Sequence, residues 1–141
     1  MKAFVLDNSI MMRWLFKDGS PSDLAYANHV RMTSEELNLS AIAPAIWPME
    51  VTNVIVRAVT RGIISADQGS ELVSIAKSHP ITIEIDRNTS AMQPIYQLAA
   101  HHQLTAYDAS YLELALRHAI PLASLDQDLI KAAKAAGVSL L

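Results

Sequence analysis

The sequence predicts an α/β sandwich built on a mainly parallel sheet. Short apolar runs of strand length alternate with longer segments whose bulky residues recur at helical spacing. No hairpin signal joins any two of the apolar runs, so successive strands must be connected by helical crossovers. Half of the residues are apolar (51%) and 18% are charged, the composition of a compact folded chain and not of a disordered one.

Residues 2–6 form the first apolar run, which ends at Asp7. Asp7, Asn8 and Ser9 then supply three residues favoured at caps and turns. Over residues 10–16, Ile10 and Trp14 lie four apart, as do Met11 and Leu15, the spacing of a helix. Gly19 stops that helix, and Ser22 is the expected N-cap of the next, over residues 23–36. Residues 41–43, before Pro44, make the second strand. A long helix is predicted over 46–61, with Pro48 in its first turn, where a missing amide is tolerated, and an apolar stripe of Val51, Val54, Ile55, Ala58 and Val59. Gly62 closes it. Ser65 opens a helix to residue 78, with Gln68 three residues on as in a capping box. Pro80 precedes a strand over 81–85, where Ile-Thr-Ile-Glu-Ile alternates with one wetter face. A helix follows from Asn88 or Thr89 to about residue 101, and another opens at Asp108. An apolar run over 120–125 is the fourth strand. The last helix runs from Asp126 to residue 136, Gly137 ends it, and residues 138–141 read as a final strand.

At 141 residues the chain is expected to be one domain, 1–141, long enough to bury a core. With no cysteine, neither a disulfide framework nor a thiolate metal site can form, which fits a reducing compartment. The apolar run at the start is too short for a signal peptide or a membrane span, and no later run is long enough either. The net charge of −3 gives no global attraction for nucleic acid, so a polyanion would need a local basic patch or a bound cation.

The chemistry lies in the carboxylates. In open parallel sheets, sites form beyond the carboxyl ends of the strands. Asp7 follows the first strand and Asp126 the fourth, Asp108 opens a helix, and Glu50 lies in the first turn of the helix after the second strand. Any one of them could be a helix cap. Four at the same kind of position are harder to explain so. If they converge, cations must offset their repulsion, and oxygen ligands without Cys favour Mg²⁺ or Mn²⁺.

Three segments, FVLDNSI, WPMEVTNVIVRAVTRGIIS and LTAYDASYLELALRHAIPLASLDQDL, together resemble a PIN-domain ribonuclease of the VapC toxin type, in the family's order and over almost the whole chain. The resemblance implies a PIN-like three-layer α/β/α sandwich and a cytoplasmic, Mg²⁺-dependent endoribonuclease acting on RNA, paired with a small antitoxin. It assigns Asp7, Glu50, Asp108 and Asp126 to the acidic metal site. Asp7 and Asp108 are read as the direct metal ligands; Glu50 either binds the metal through water or orients the attacking water, and Asp126 is either a ligand, directly or through water, or an acceptor behind one. Ser9 and Asn53 match polar positions beside the site, and Ser124 stands where the family often has Thr. Asp128 either adds charge to the site or only complements the helix dipole.

Other residues are open to two readings. Arg13 and Lys17, one turn apart near the site edge, are candidates for RNA phosphate contacts, although isolated surface cations are commoner. Arg57 reaches either a phosphate or Glu50, and Arg61 reads as part of a solvated stripe. Asn53, one turn from Glu50, is placed to hold its carboxylate. His101 and His102 are not at metal-ligand spacing. Trp14 and Trp47 read as core or interface, and Tyr107 and Tyr111 as packing their helix on the sheet. The high apolar share makes a homodimer plausible. The rival functions are an aspartyl phosphotransfer domain, for which no Lys follows a later strand convincingly, and a PIN-like domain that only binds a partner.

Overall fold

The computed structural model describes residues 2–85 and 88–141. Four strands, β1 (Ala3–Leu6), β2 (Ser40–Pro44), β3 (Ile81–Glu84) and β4 (Leu122–Ala123), form one sheet in the order β3-β2-β1-β4. Every pairing is parallel, with Phe4 opposite Ala41, Val5 opposite Leu122 and Ala43 opposite Ile83. All four residues of the central β1 are buried, as expected of a strand covered on both faces. The edge strand β3 shows the predicted alternation: Ile81 and Ile83 are half-buried and Thr82 is exposed.

The crossovers are helices: α1 (Asn8–Phe16) and α2 (Pro21–Glu36) lead to β2, and α3 (Trp47–Thr60) and α4 (Ala66–Ser78) lead to β3. A 3₁₀ turn (Asn88–Ala91), α5 (Met92–His102) and α6 (Ala106–His118) lead to β4, and α7 (Gln127–Ala135) follows it. Helices α1, α3 and α4 pack on one another, while α6 packs on α5, α7 and the strands β1 and β2. This is a three-layer α/β/α sandwich on a parallel sheet. The core between the layers includes Phe4, Leu6, Ile10, Met11, Leu112, Leu114 and Leu129, all fully buried. No described helix is long and apolar enough to cross a membrane.

Local chemistry explains the boundaries, including those that differ from expectation. Ser20, not Ser22, caps α2: its hydroxyl accepts from the Asp23 amide at 3.1 Å, and Pro21 takes the first helical position, where its fixed φ suits a helix start. The Ser65–Gln68 capping box forms as read. The helix expected from Asn88 begins instead with the 3₁₀ turn. The fourth strand pairs over only two residues, and the expected final strand reduces to a single bridge between Leu122 and Leu140, because β4 is itself so short. At the other edge, Arg117 of α6 pairs with Glu84 of β3 at 2.5 Å and with buried Glu113 at 2.9 Å, and His118 meets Glu84 at 3.0 Å. Burial alone would raise the Glu84 carboxyl, but the hydrogen bonds from Arg117 and His118, with the Arg117 charge, hold it below its usual range. This cluster fastens the edge strand to α6, and nothing in the local sequence pattern announced it.

Candidate active site

The carboxyl edge of the sheet gathers the acidic residues. Asp7 continues β1: its amide donates to Ala123 O at 3.0 Å, so its backbone still pairs with β4. The residue is only 5% exposed. Its side chain makes no cap bond to α1, although the residue sits at the N-cap position. Its Oδ2 instead accepts from the hydroxyls of Ser9 at 2.6 Å and Ser124 at 2.7 Å. Each hydroxyl also accepts a backbone amide from the loop after β4: Ser9 that of Leu125 at 2.9 Å, Ser124 that of Asp126 at 3.0 Å. The two serines thus tie the loop that carries Asp126 to the Asp7 carboxylate, across more than a hundred residues of sequence.

The other carboxylates have separate supports. Asp126 caps α7, its Oδ1 accepting from the Leu129 amide at 2.9 Å. Asp108 lies in the first turn of α6, while Thr105 provides the cap through the Asp108 amide at 3.1 Å. Glu50, in the first turn of α3, accepts a 2.5 Å hydrogen bond on Oε1 from Tyr111, whose side chain is fully buried. Capping therefore accounts for Asp126 but not for Asp7, Asp108 or Glu50.

Three of these carboxyls, those of Asp7, Glu50 and Asp108, respond to the charges of their acidic neighbours. Burial, then the charges of Asp126, Asp7 and Glu50, push the Asp108 carboxyl from 3.8 up to about 6. Burial raises Asp7 against the lowering effect of its two hydroxyl partners, and Asp126 adds to the rise. Glu50 is raised by burial and by Asp7, and Tyr111 partly offsets this. The Tyr111 phenol is held far above its usual range by burial and by the adjacent carboxylates, so it remains a donor. The region has an excess of negative charge that a cation would relieve, and its donors are hard oxygens suited to Mg²⁺ or Mn²⁺. Among the described residues, however, no three His, Asp or Glu side chains stand at the spacing of a ready-made ligand set. The carboxylates are coupled through space without being drawn into a closed nest.

Other residues fall away from this edge. Asn53 is exposed and makes no hydrogen bond to Glu50 among the described residues; Tyr111 takes that place from 61 residues away. Asp128 is exposed in the first turn of α7, and Tyr107 points into solvent, unlike Tyr111. No ion pair joins Arg57 to Glu50 among the described residues, and Arg57 sits in the last turn of α3, as Arg13 does in α1, with Lys17 at the α1 C-cap. The cations thus lie toward the far ends of the helices from the carboxylates. Trp47 is core, and Trp14 stacks on His79 at 5.3 Å. Tyr111 was the functional candidate that helical periodicity hid, since an apolar stripe does not distinguish a buried phenol that packs from one that also donates.

A parallel sheet with coupled carboxylates at its carboxyl edge can be matched against known families. The PIN domain family model matches residues 4–135.

The chain belongs to the PIN-domain family.

Solved structures agree on the fold of this PIN domain. A protein named PAE2754 from Pyrobaculum aerophilum superposes with a TM-score of 0.65 at 17% identity, covering 92% of this chain and 84% of that one. FitAcB from Neisseria gonorrhoeae gives 0.64 at 14% identity, covering 98% and 96%. VapBC2 from Rickettsia felis, solved bound to a DNA fragment from its promoter, gives 0.68 at 14%, covering 99% and 97%. Comparison with curated proteins gives no match.

Proposed function

We propose that residues 1–141 form a single PIN domain that cleaves RNA as a divalent-metal-dependent endoribonuclease. The observation that carries this reading is that burial and neighbouring carboxylates raise the carboxyls of Asp7, Glu50 and Asp108 at the carboxyl edge of the sheet, with Asp126 among the charges responsible, within the span matched by the family. Asp7 and Asp108 would hold Mg²⁺ or Mn²⁺ directly, with Glu50 and Asp126 through water. When bound, such an ion lowers the pKa of an attacking water and offsets charge in the phosphodiester transition state.

The chain's own groups have distinct tasks. Ser9 and Ser124 fix the Asp7 carboxylate and the loop that carries Asp126 in one arrangement. Tyr111 occupies Glu50 Oε1, leaving Oε2 to orient the attacking water and take its proton. Tyr111→Phe is therefore expected to lower kcat by about 10- to 150-fold, because a hydrogen bond to a charged group is worth roughly 1.5–3 kcal/mol. KM should hold, and the protein should stay folded. Single-turnover cleavage assays check this, and an unchanged kcat would mean that Glu50 does not depend on the phenol.

The likeness to FitAcB and VapBC2 and the VapC-type segments support a toxin that works in the cytoplasm with a small antitoxin. A basic antitoxin side chain entering the acidic site would replace the charge of a cation and block the enzyme. Protein purified with its partner should be inactive and recover cleavage once the partner is stripped under denaturant and the chain refolded. Full activity in the intact complex would refute inhibition at the site. A homodimer would cover apolar side chains left in solvent on α5, Met92 at 68% exposure and Tyr96 at 66%. The direct test of the whole reading is to map cleavage ends in total RNA with the wild type beside the Asp7→Asn variant. Ends that persist unchanged in the variant would overturn it.

A further inference from the structure

The basic side chains are gathered to a degree that the net charge conceals. A cavity of about 400 Å³ between α1 and α2 is lined by Arg13, Lys17, Arg31 and His79, with Trp14 in its wall and no carboxylate among its described lining residues. A second, of about 280 Å³ between α1 and α3, is lined by Arg13, Arg57 and Arg61, with Asp18 as its acidic member. Arg13 borders both. Arg13, Lys17, Arg31, Arg57 and Arg61 are five of the eleven Lys and Arg residues in a chain of net charge −3, so two adjoining cavities hold nearly half of its positive side chains.

The ordinary explanation for cations at helix ends is the helix dipole. It covers Arg13, Lys17, Arg57 and Arg61 but not Arg31, because α2 has no basic residue in its last turn. Arg13 is also held in place. Asp18 Oδ1 lies 2.9 Å from one of its terminal nitrogens. Gly19, with φ of +102°, presses on its guanidinium so closely that a Cβ there would come within 2.9 Å of Nη1. Arg31 donates to Asn28 Oδ1 at 2.8 Å. Among the described residues, Lys17, Arg31, Arg57 and Arg61 have no ion-pair partner. Burial and Arg31 disfavour protonation of His79, which therefore contributes a hydrogen-bonding ring and not charge.

The placement follows the helices. Helices α1 and α3 pack together. Each carries a carboxylate at its N-terminal end, Asp7 or Glu50, and basic residues at its C-terminal end. At about 1.5 Å per residue, the cations of α1 and α3 stand roughly 9–16 Å along the helices from Asp7 and Glu50. We propose that the two cavities bind phosphate groups of a single nucleic-acid strand whose course leads toward the acidic edge. The identity of the strand rests on the nuclease reading above, whereas the binding of phosphate does not.

The test uses the full chain in EDTA, so that binding is read without cleavage. A short fluorescent single-stranded RNA is titrated by anisotropy against the wild type and the triple variant Lys17→Gln, Arg31→Gln, Arg57→Gln. These exposed side chains have no role in the acidic site, and circular dichroism checks the fold. The triple variant should bind at least tenfold more weakly, and its salt slope should fall by about 2, since each single-strand phosphate contact contributes roughly 0.7. Inorganic phosphate, followed by ³¹P line broadening, is the second arm. Loss of RNA binding alone in the variant supports a strand held across both cavities, and loss of phosphate binding as well supports separate phosphate subsites. Unchanged RNA affinity and slope would overturn the proposal, and so would a variant that keeps its RNA affinity but loses an acidic protein partner. Because no cleavage is read, a failure of the nuclease assignment would show separately, in the Asp7→Asn mapping.

Discussion

Asp7→Asn should lower Mg²⁺-dependent RNA cleavage by about 10²–10⁴-fold, the several kcal/mol expected when a metal centre loses a direct anionic ligand. The substitution is chosen because it is nearly isosteric. The amide oxygen can still accept from the Ser9 and Ser124 hydroxyls, which now lie 2.6 and 2.7 Å from Oδ2, so the loop after β4 keeps its anchor. It also removes a charge that burial disfavours. The folded state should therefore survive, and loss of activity would report on chemistry and not on unfolding. Asp108→Asn should behave alike, with a smaller structural footprint because Asp108 is only half-buried. The measurement is single-turnover cleavage of a fixed RNA over a Mg²⁺ titration, with melting curves for both variants. Wild-type rates in either folded variant would refute its assignment as a direct ligand. Asp128→Asn serves as the contrast: its carboxylate stands in solvent at the start of α7, and substitution there should leave the rate within about twofold.

Much of this was legible in the sequence for a physical reason. Strand and helix periods report which face of an element is buried, and the runs here are well separated, so the alternation of strands and helices could be read directly. The carboxylates could be placed at one sheet edge because a parallel topology puts every strand-to-helix junction there. What periodicity cannot report is the partner a buried polar group will find. The bonds from Tyr111 to Glu50 and from Ser124 to Asp7 span 61 and 117 residues, and the Arg117 cluster reaches 33 residues back to Glu84. Asn53 looked placed to hold Glu50 because helical spacing brings it one turn away, yet its side chain is exposed and a residue from α6 does the work. The fourth strand was read too long for a related reason. Its run is apolar but for Ser124 because that edge is buried, although only Leu122 and Ala123 form a ladder. Arg61, read as a solvated cation, lines a cavity with two other arginines, a grouping of α1 with α3 that exists only in three dimensions.

The same carboxylates should make the metal-free protein less stable at neutral pH than in mild acid. Asp108 binds its proton with a pKa of about 6 in the folded chain against 3.8 ordinarily, and Asp7 and Glu50 are raised in the same direction. Between the two values the folded state holds more protons than the unfolded one, so stability falls as pH rises through that window. The favourable contribution is whole below about pH 4 and gone above the folded pKa. Asp108 is half exposed, and with solvent screening its share should be about 1 kcal/mol between pH 5 and 7.5. A bound cation reverses the sign. Mg²⁺ at a hundred times its dissociation constant should add about 2.7 kcal/mol, and more readily as pH rises past 6, because the ligands must be deprotonated to bind. Asp108→Asn separates the two effects: in EDTA at pH 7.5 it should melt at or above the wild type, its pH dependence should flatten, and most of the Mg²⁺ shift should vanish. Thermal melts at pH 5 and 7.5, in EDTA and in Mg²⁺, give all four comparisons in one experiment. A wild type that melts identically in every condition, or a variant that keeps the full Mg²⁺ shift, would show that these carboxylates neither strain the empty site nor hold the ion. The arrangement of Asp7, Glu50, Asp108 and Asp126 thus predicts a linkage measurable without any RNA. Stability that drops with pH in EDTA and recovers with metal would identify the acidic edge as a cation site even before a substrate is known.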